Sequence, residues 1–208
     1  MFPCFLQMYR RAILSSGLKL VAGGLPALGV AGLFIRPGEA AALGGLLPEV
    51  GAPAPSFTLE GIAPPGVPAT VALADFRGSW LVLYFYPRDF TGGCTIEARG
   101  FQRDLQAFQA SRAQVVGVSA DEPDSHAAFC SEEGLVFPLL SDPAGAVSRM
   151  YGSWIAPFSQ RHTFLIDPEG TIRARWVAVR PAGHSQEVLQ TLQGLQADVH
   201  SIPADRRG

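Results

Sequence analysis

The sequence predicts an α/β fold: a mixed central sheet with helices on both faces. Three observations carry this. "WLVLYFYP" (80–87) is apolar throughout, as a strand buried on both faces must be. A second apolar run, "AQVVGVSA" (113–120), follows after a segment of helical spacing, the layout of two parallel strands joined by a crossover helix. Further on, "RHTFLIDPEGTIRARWVAV" reads as two strands around a turn at Asp167–Gly170, an antiparallel hairpin. The 208 residues are enough for one domain with a real core, and 48% hydrophobic against 16% charged residues excludes a disordered chain.

Taken in order, residues 1–42 read as an export signal or membrane anchor. Arg10-Arg11 precede an apolar stretch from about Leu20 to Ile35, and Ala40–Ala42 form a small-residue cleavage pattern. "YRRAIL" resembles a twin-arginine signal. The stretch is short and glycine-interrupted for a membrane span, yet a retained anchor also fits. The expectation is therefore export, to a periplasm or thylakoid lumen, or an N-terminal membrane tether.

Residues 43–55 are rich in Pro and Gly and read as a linker, and 56–200 as the folded domain, with 201–208 a C-terminal tail. "SFTLEG" opens the domain as the first strand of an edge hairpin. Helix is expected from about Cys94 to Ser111, with Phe101, Leu105 and Phe108 on one face. Pro123 opens a short helix to Glu133, where Gly134 fits the C-cap. "VFPLLSD" (136–142) is a short strand, and Ala144–Tyr151 a brief helix. Val188, Leu189, Leu192 and Leu195 mark a last helix within 184–199. The order βαβαβ, then a hairpin and a helix, is the thioredoxin-like architecture.

Net charge is −2 with no basic run, which argues against nucleic acid as a partner. Three cysteines without a C-x-x-C pair, and histidines 126, 162, 184 and 200 without ligand spacing, suggest no metal site. One cysteine stands apart. Cys94 follows the central strand through "PRDFTGG" and begins a helix. Unpaired backbone N–H groups and the positive end of the helix dipole stabilise a thiolate there.

The stretch Pro87-x-x-x-Thr91-x-x-Cys94 resembles the active-site motif of peroxiredoxins. Its flanks "YFYPRDFT" and "CTIEA", with "FPLLSD" and "RHTFLIDPEG" further on, are similar to the bacterioferritin-comigratory or Q-type branch, over about residues 48–195. The resemblance implies a thiol peroxidase acting on hydrogen peroxide and alkyl hydroperoxides, without metal, haem or other cofactor. It also implies regeneration by thioredoxin or a similar thiol reductant; a monomer is expected.

On this resemblance Cys94 is the attacking thiolate, and Thr91 accepts the peroxide proton. Pro87 ends the strand and limits water access, and Arg161 supplies the fixed positive charge. Glu97, one turn after Cys94, is placed to orient that arginine. Plainer readings stand beside these. Cys94 could be a small buried residue, Thr91 only an N-cap, Glu97 only a first-turn acid, and Arg161 a solvated strand-edge charge with Arg99 as the alternative cation. His126 and His162 read as ordinary surface residues.

The chain departs from the pattern twice. Gly92 stands where Q-type members usually carry proline, so a looser loop is expected. Arg99 occupies the position, five residues after the first cysteine, where many members carry a resolving cysteine. Cys130 is then the candidate resolving residue, and a core cysteine beside Phe129 is its plainer reading. The rival functions are a thiol–disulfide oxidoreductase of the same fold and a non-enzymatic binding or holdase module.

Overall fold

The computed structural model describes residues 41–42, 44–64 and 66–201. The expected leader to residue 40 and the tail from 202 lie outside the described residues. Among the described residues no helix is long and apolar enough to cross a membrane.

Apart from two short two-stranded ladders (Ala41–Ala42 with Gly45–Leu46, and Trp154–Ile155 with Phe158–Ser159), the elements are β1 (Thr58–Ala63), β2 (Val67–Ala72), β3 (Trp80–Phe85), α1 (Gly92–Ala110), β4 (Ala113–Ser119), α2 (Pro123–Glu133), β5 (Leu139–Ser141), α3 (Ala146–Met150), β6 (His162–Ile166), β7 (Ile172–Trp176) and α4 (His184–Ser201). Seven strands form one mixed sheet in the order β7-β6-β3-β4-β5-β1-β2. β3, β4 and β5 run parallel. The hairpins β6–β7 and β1–β2 close the two sides antiparallel. This is the thioredoxin-like sheet expected, with the first hairpin added beyond β5. Gly61 makes that addition possible: a Cβ there would stand 2.2 Å from the carbonyl oxygen of Leu139.

Every residue of β3 is buried, because its two faces feed two cores. Val82 and Tyr84 pack with Phe101, Phe108 and Phe129 of α1 and α2 and with Leu192 of α4. Leu81, Leu83 and Phe85 face the other way, toward Val147 of α3, Tyr151, and Phe76 of a single 3-10 turn at Leu73–Phe76. Helical cover therefore lies on both faces. Observed elements are shorter than the apolar runs suggested: β3 ends at Phe85, two residues before Pro87, and β5 spans only Leu139–Ser141.

The stretch from Gly44 to Ala54, expected as part of a linker, lies against the domain. Gly51 N–H donates to Ile172 O at 2.8 Å, Ile172 N–H to Ala52 O at 3.0 Å, and Ala54 N–H to Gly170 O at 2.9 Å. Arg175 Nη1 donates to Pro48 O at 2.5 Å. β7 is an edge strand with unpaired backbone groups, and this proline- and glycine-rich segment covers it.

His126 and His162 correct the surface expectation, for both are buried. His162 shares a strand face with Phe164 and Ile166, and His126 shares a helix face with Phe129 and Cys130, so each is carried inward by its neighbours' period.

Candidate active site

The last ladder bond of the central strand is Tyr86 N–H to Val118 O at 3.0 Å; Pro87, which has no N–H, follows. The chain then turns through Phe90, whose φ of 58° is uncommon for a bulky residue. Thr91 is the extended N-cap of α1, at φ −88° and ψ 142°. The first helical bond runs from Thr95 N–H to Thr91 O at 2.9 Å. The amides of Gly92, Gly93 and Cys94 come before it and have no partner within the helix. Gly92 takes an ordinary first helical position with open space around its Cα, so the loop owes nothing to a glycine conformation there.

Cys94 is buried in this first turn. Arg161 Nη2 donates to its sulfur at 3.2 Å. The sheet register explains the meeting: His162 pairs with Phe85, which sets Arg161 beside the end of β3 where the Cys94 loop begins. Arg161 Nη1 pairs with Glu97, which is three residues after Cys94 on the same helix face. Burial pushes the Glu97 carboxyl up to about 7, with Arg161 pulling it down. Burial also works against the charge on Arg161, but Glu97 and Cys94 more than offset this and raise its pKa. Gly93 makes room for the guanidinium, since a Cβ there would stand 3.1 Å from Arg161 Nη2.

Thr91 is exposed, and its hydroxyl donates to Arg88 O at 3.0 Å. Its donor is committed, so its lone pairs are left to accept from a bound molecule. Arg99 is elsewhere: it pairs with Glu133 at the end of α2, on a side chain 67% exposed. Arg161 therefore meets both Cys94 and Glu97 in direct contact, Pro87 and Thr91 lie on the loop that leads into the helix start carrying Cys94, and Arg99 pairs elsewhere.

Cys130 is buried near the end of α2, and both thiols are free. Burial, then the negative charge of Asp89, pushes the Cys130 thiol up to about 11. Asp89 was missed by the sequence reading although it lies within the quoted motif. It is buried, and it takes hydrogen bonds from Tyr86 Oη at 2.7 Å and Ser125 Oγ at 2.8 Å; its Oδ2 lies 2.9 Å from His126 Nδ1. The signal available was the pair Ser125-His126 one turn before Phe129 and Cys130.

A nucleophilic sulfur, a fixed cation touching it, free amides and an acceptor hydroxyl form a site for attack on a polar bond with charge developing on the leaving atom. Residues 50–175 match the AhpC/TSA family. The chain belongs to this family of peroxiredoxins. Peroxiredoxin Bcp of Xanthomonas campestris is 39% identical over 150 residues, covering 68% of this chain and 92% of the relative. Two solved structures of Xanthomonas campestris Peroxiredoxin Q, both cysteine-to-serine variants, match at 34% and 36% identity, with TM-scores of 0.62 and 0.60. They cover 66% and 61% of this chain and 90% and 86% of theirs. The altered cysteines of those two variants are 36 positions apart. The resemblance to peroxiredoxins read from the sequence thus agrees with the family, and the fold is the thioredoxin-like fold of these relatives.

Proposed function

We propose that this peroxiredoxin reduces hydrogen peroxide and alkyl hydroperoxides at Cys94, with Arg161, Thr91 and Pro87 as the residues that shape the reaction. The observation that carries the assignment is the 3.2 Å contact from Arg161 Nη2 to Cys94 Sγ at the open start of α1. The thiolate is the reactive form of a cysteine, and this contact sets a fixed cation at the reacting sulfur, where charge is redistributed during attack. The thiolate attacks one peroxide oxygen and the O–O bond breaks. The terminal oxygen becomes the sulfenic acid of Cys94, and the other leaves as water or alcohol after taking a proton. Thr91 Oγ1 accepts the peroxide O–H, and the amides of Gly93 and Cys94 hold the oxygens. Glu97 acts through Arg161 and is a positioning residue.

Cys130 resolves the sulfenic acid in this proposal. Its thiol attacks the Cys94 sulfur, an S–S bond forms, the S–O bond breaks and water leaves; a thioredoxin-like dithiol then reduces the disulfide by exchange. Support comes from the relatives: their two altered cysteines have the same 36-residue separation as Cys94 and Cys130. The test is peroxide consumption with a thioredoxin system. Cys94→Ser should abolish it; consumption that persists, or its absence in the wild type, returns the site to the oxidoreductase or binding-module readings.

Export, or an N-terminal tether, is the proposed localisation, supported by Arg10-Arg11, the apolar stretch after them and Ala40–Ala42. Residues 1–45 fused to a reporter active only after export test it. Activity supports a signal or anchor, cleavage separates the two, and a cytosolic reporter overturns both.

A further inference from the structure

The loop that carries the peroxide chemistry is tied to the helix that carries Cys130 by a buried polar cluster which the reaction itself does not use. Asp89 stands at its centre, with a side chain 1% exposed. From the loop side, Tyr86 Oη donates to Asp89 Oδ1 at 2.7 Å. From the α2 side, Ser125 Oγ donates to Asp89 Oδ2 at 2.8 Å, and His126 Nδ1 lies 2.9 Å from the same oxygen. Asp89 N–H donates to Asp121 Oδ2 at 2.8 Å, in the segment just before α2, and Asp121 Oδ2 is itself held by Ser119 Oγ at 2.7 Å. The loop is pinned to α2 once more by Phe90, whose ring meets Phe129 edge-on at 5.1 Å between centroids.

His126 is fully buried, and its Nε2 has no partner among the described residues. A buried polar atom left unpaired is unfavourable, so His126 stays inside on the strength of its Nδ1 contact and its packing. It is also four residues before Cys130, on the same face of α2. Whatever releases His126 from Asp89 therefore loosens the turn on which Cys130 sits and the loop leading to Thr91 and Cys94 together.

We propose that Asp89 and His126 form a latch that times resolution. Closed, it holds the Pro87–Thr91 loop against α2 while Cys94 reduces peroxide. Open, it lets the first turn of α1 and the body of α2 that carries His126 and Cys130 move from the core, so that the Cys130 thiol reaches the sulfenic acid. The step it gates is the condensation already written: an S–S bond forms, the S–O bond breaks, water leaves. The closed latch also keeps Cys130 buried and a carboxylate close enough to disfavour its thiolate, which suppresses premature attack. This inference rests on the reading that Cys130 resolves Cys94.

The test compares two replacements of one side chain in the full chain. His126→Phe keeps the ring volume and removes the contact to Asp89. His126→Asn leaves a void but places an amide N–H where Nδ1 stands. After one equivalent of hydrogen peroxide and acid quench, Cys94–Cys130 disulfide is followed by peptide mass spectrometry, and sulfinic acid at Cys94 after excess peroxide. The latch predicts disulfide formation about tenfold faster in His126→Phe, equivalent to about 1.4 kcal/mol, with less sulfinic acid, and near wild-type behaviour in His126→Asn. A packing role predicts the reverse order, with His126→Phe silent and His126→Asn perturbed, and that result overturns the latch. Should His126→Phe fail to fold, Ser125→Ala removes another donor to Asp89 with little loss of volume and should accelerate disulfide formation a few-fold; no acceleration there overturns the latch also. A wild type that forms no Cys94–Cys130 disulfide overturns the resolution reading itself, and the latch with it.

Discussion

Arg161 donates from Nη2 to the sulfur of Cys94 at 3.2 Å, across 67 residues of sequence. Cys94 comes from a helix start and Arg161 from the residue just before an antiparallel strand, and they meet because β3 and β6 are neighbours in register. The same guanidinium is held from behind by Glu97, so the cation is fixed before any substrate arrives.

Removing the cation should slow peroxide reduction more than any change outside the site. Arg161→Ala is expected to lower the rate of Cys94 oxidation by about 10²–10³, the range for losing one well-placed donor to developing charge. Arg161→Lys should recover only part, because an ammonium cannot bond sulfur and carboxylate with one planar fork. Arg99→Ala, which breaks only the pair with Glu133, should stay within a few-fold of wild type. Stopped-flow oxidation of the three variants decides it; a larger effect at Arg99 would mean the wrong cation has been chosen.

Glu97 should leave a pH signature in stability. Its carboxyl is raised from the ordinary 4.5 to about 7, chiefly by burial. Between these values the folded protein holds a proton that the unfolded chain has released. The group's contribution is therefore fully present below pH 4.5 and is lost as pH rises through about 7, on a scale of roughly 3 kcal/mol. Urea unfolding at pH 5, 6, 7 and 8 should show the advantage of wild type over Glu97→Gln shrinking as pH rises. A difference that stays constant over this range contradicts the buried carboxyl.

Thr91 should matter through its oxygen. The hydroxyl already donates to Arg88 O, so what a peroxide meets is an acceptor. Thr91→Ser should keep most activity, while Thr91→Val, of similar shape but without the acceptor, should lose about ten- to a hundredfold. Equal behaviour of Ser and Val in peroxide kinetics would reduce Thr91 to a helix cap.

Cys130→Ser should stop the cycle after its first half. The sulfenic acid of Cys94 should then accumulate, react with dimedone, and pass to sulfinic acid under excess peroxide, while turnover with a thioredoxin system falls at least tenfold. Undiminished steady-state turnover would show that an external thiol resolves the enzyme.

Much of this was legible along the chain because the signals are local. The apolar run at 80–87 marked the central strand, Pro87 its end, and Cys94 a helix start with free amides. Glu97 at one turn's spacing follows from helical geometry alone. The hairpin turn at Asp167–Gly170 was equally local: Asp167 Oδ1 accepts from the amides of Glu169 and Thr171 at 3.1 and 2.8 Å. What the one-dimensional pattern lacked was pairing over distance. The choice between Arg161 and Arg99 required the sheet register, which sends one arginine to Cys94 and leaves the other on the outer face of α1 with Glu133. The burial of His126 and His162 required knowing which face of each element meets the core. The segment expected as a linker required knowing that β7 is an edge strand in need of cover. Asp89 was the hardest to see, since a carboxylate in a turn ordinarily faces water. Only the packed fold brings Tyr86, Ser125 and His126 around it, and only hydrogen bonds that converge from separate elements can keep such a charge inside.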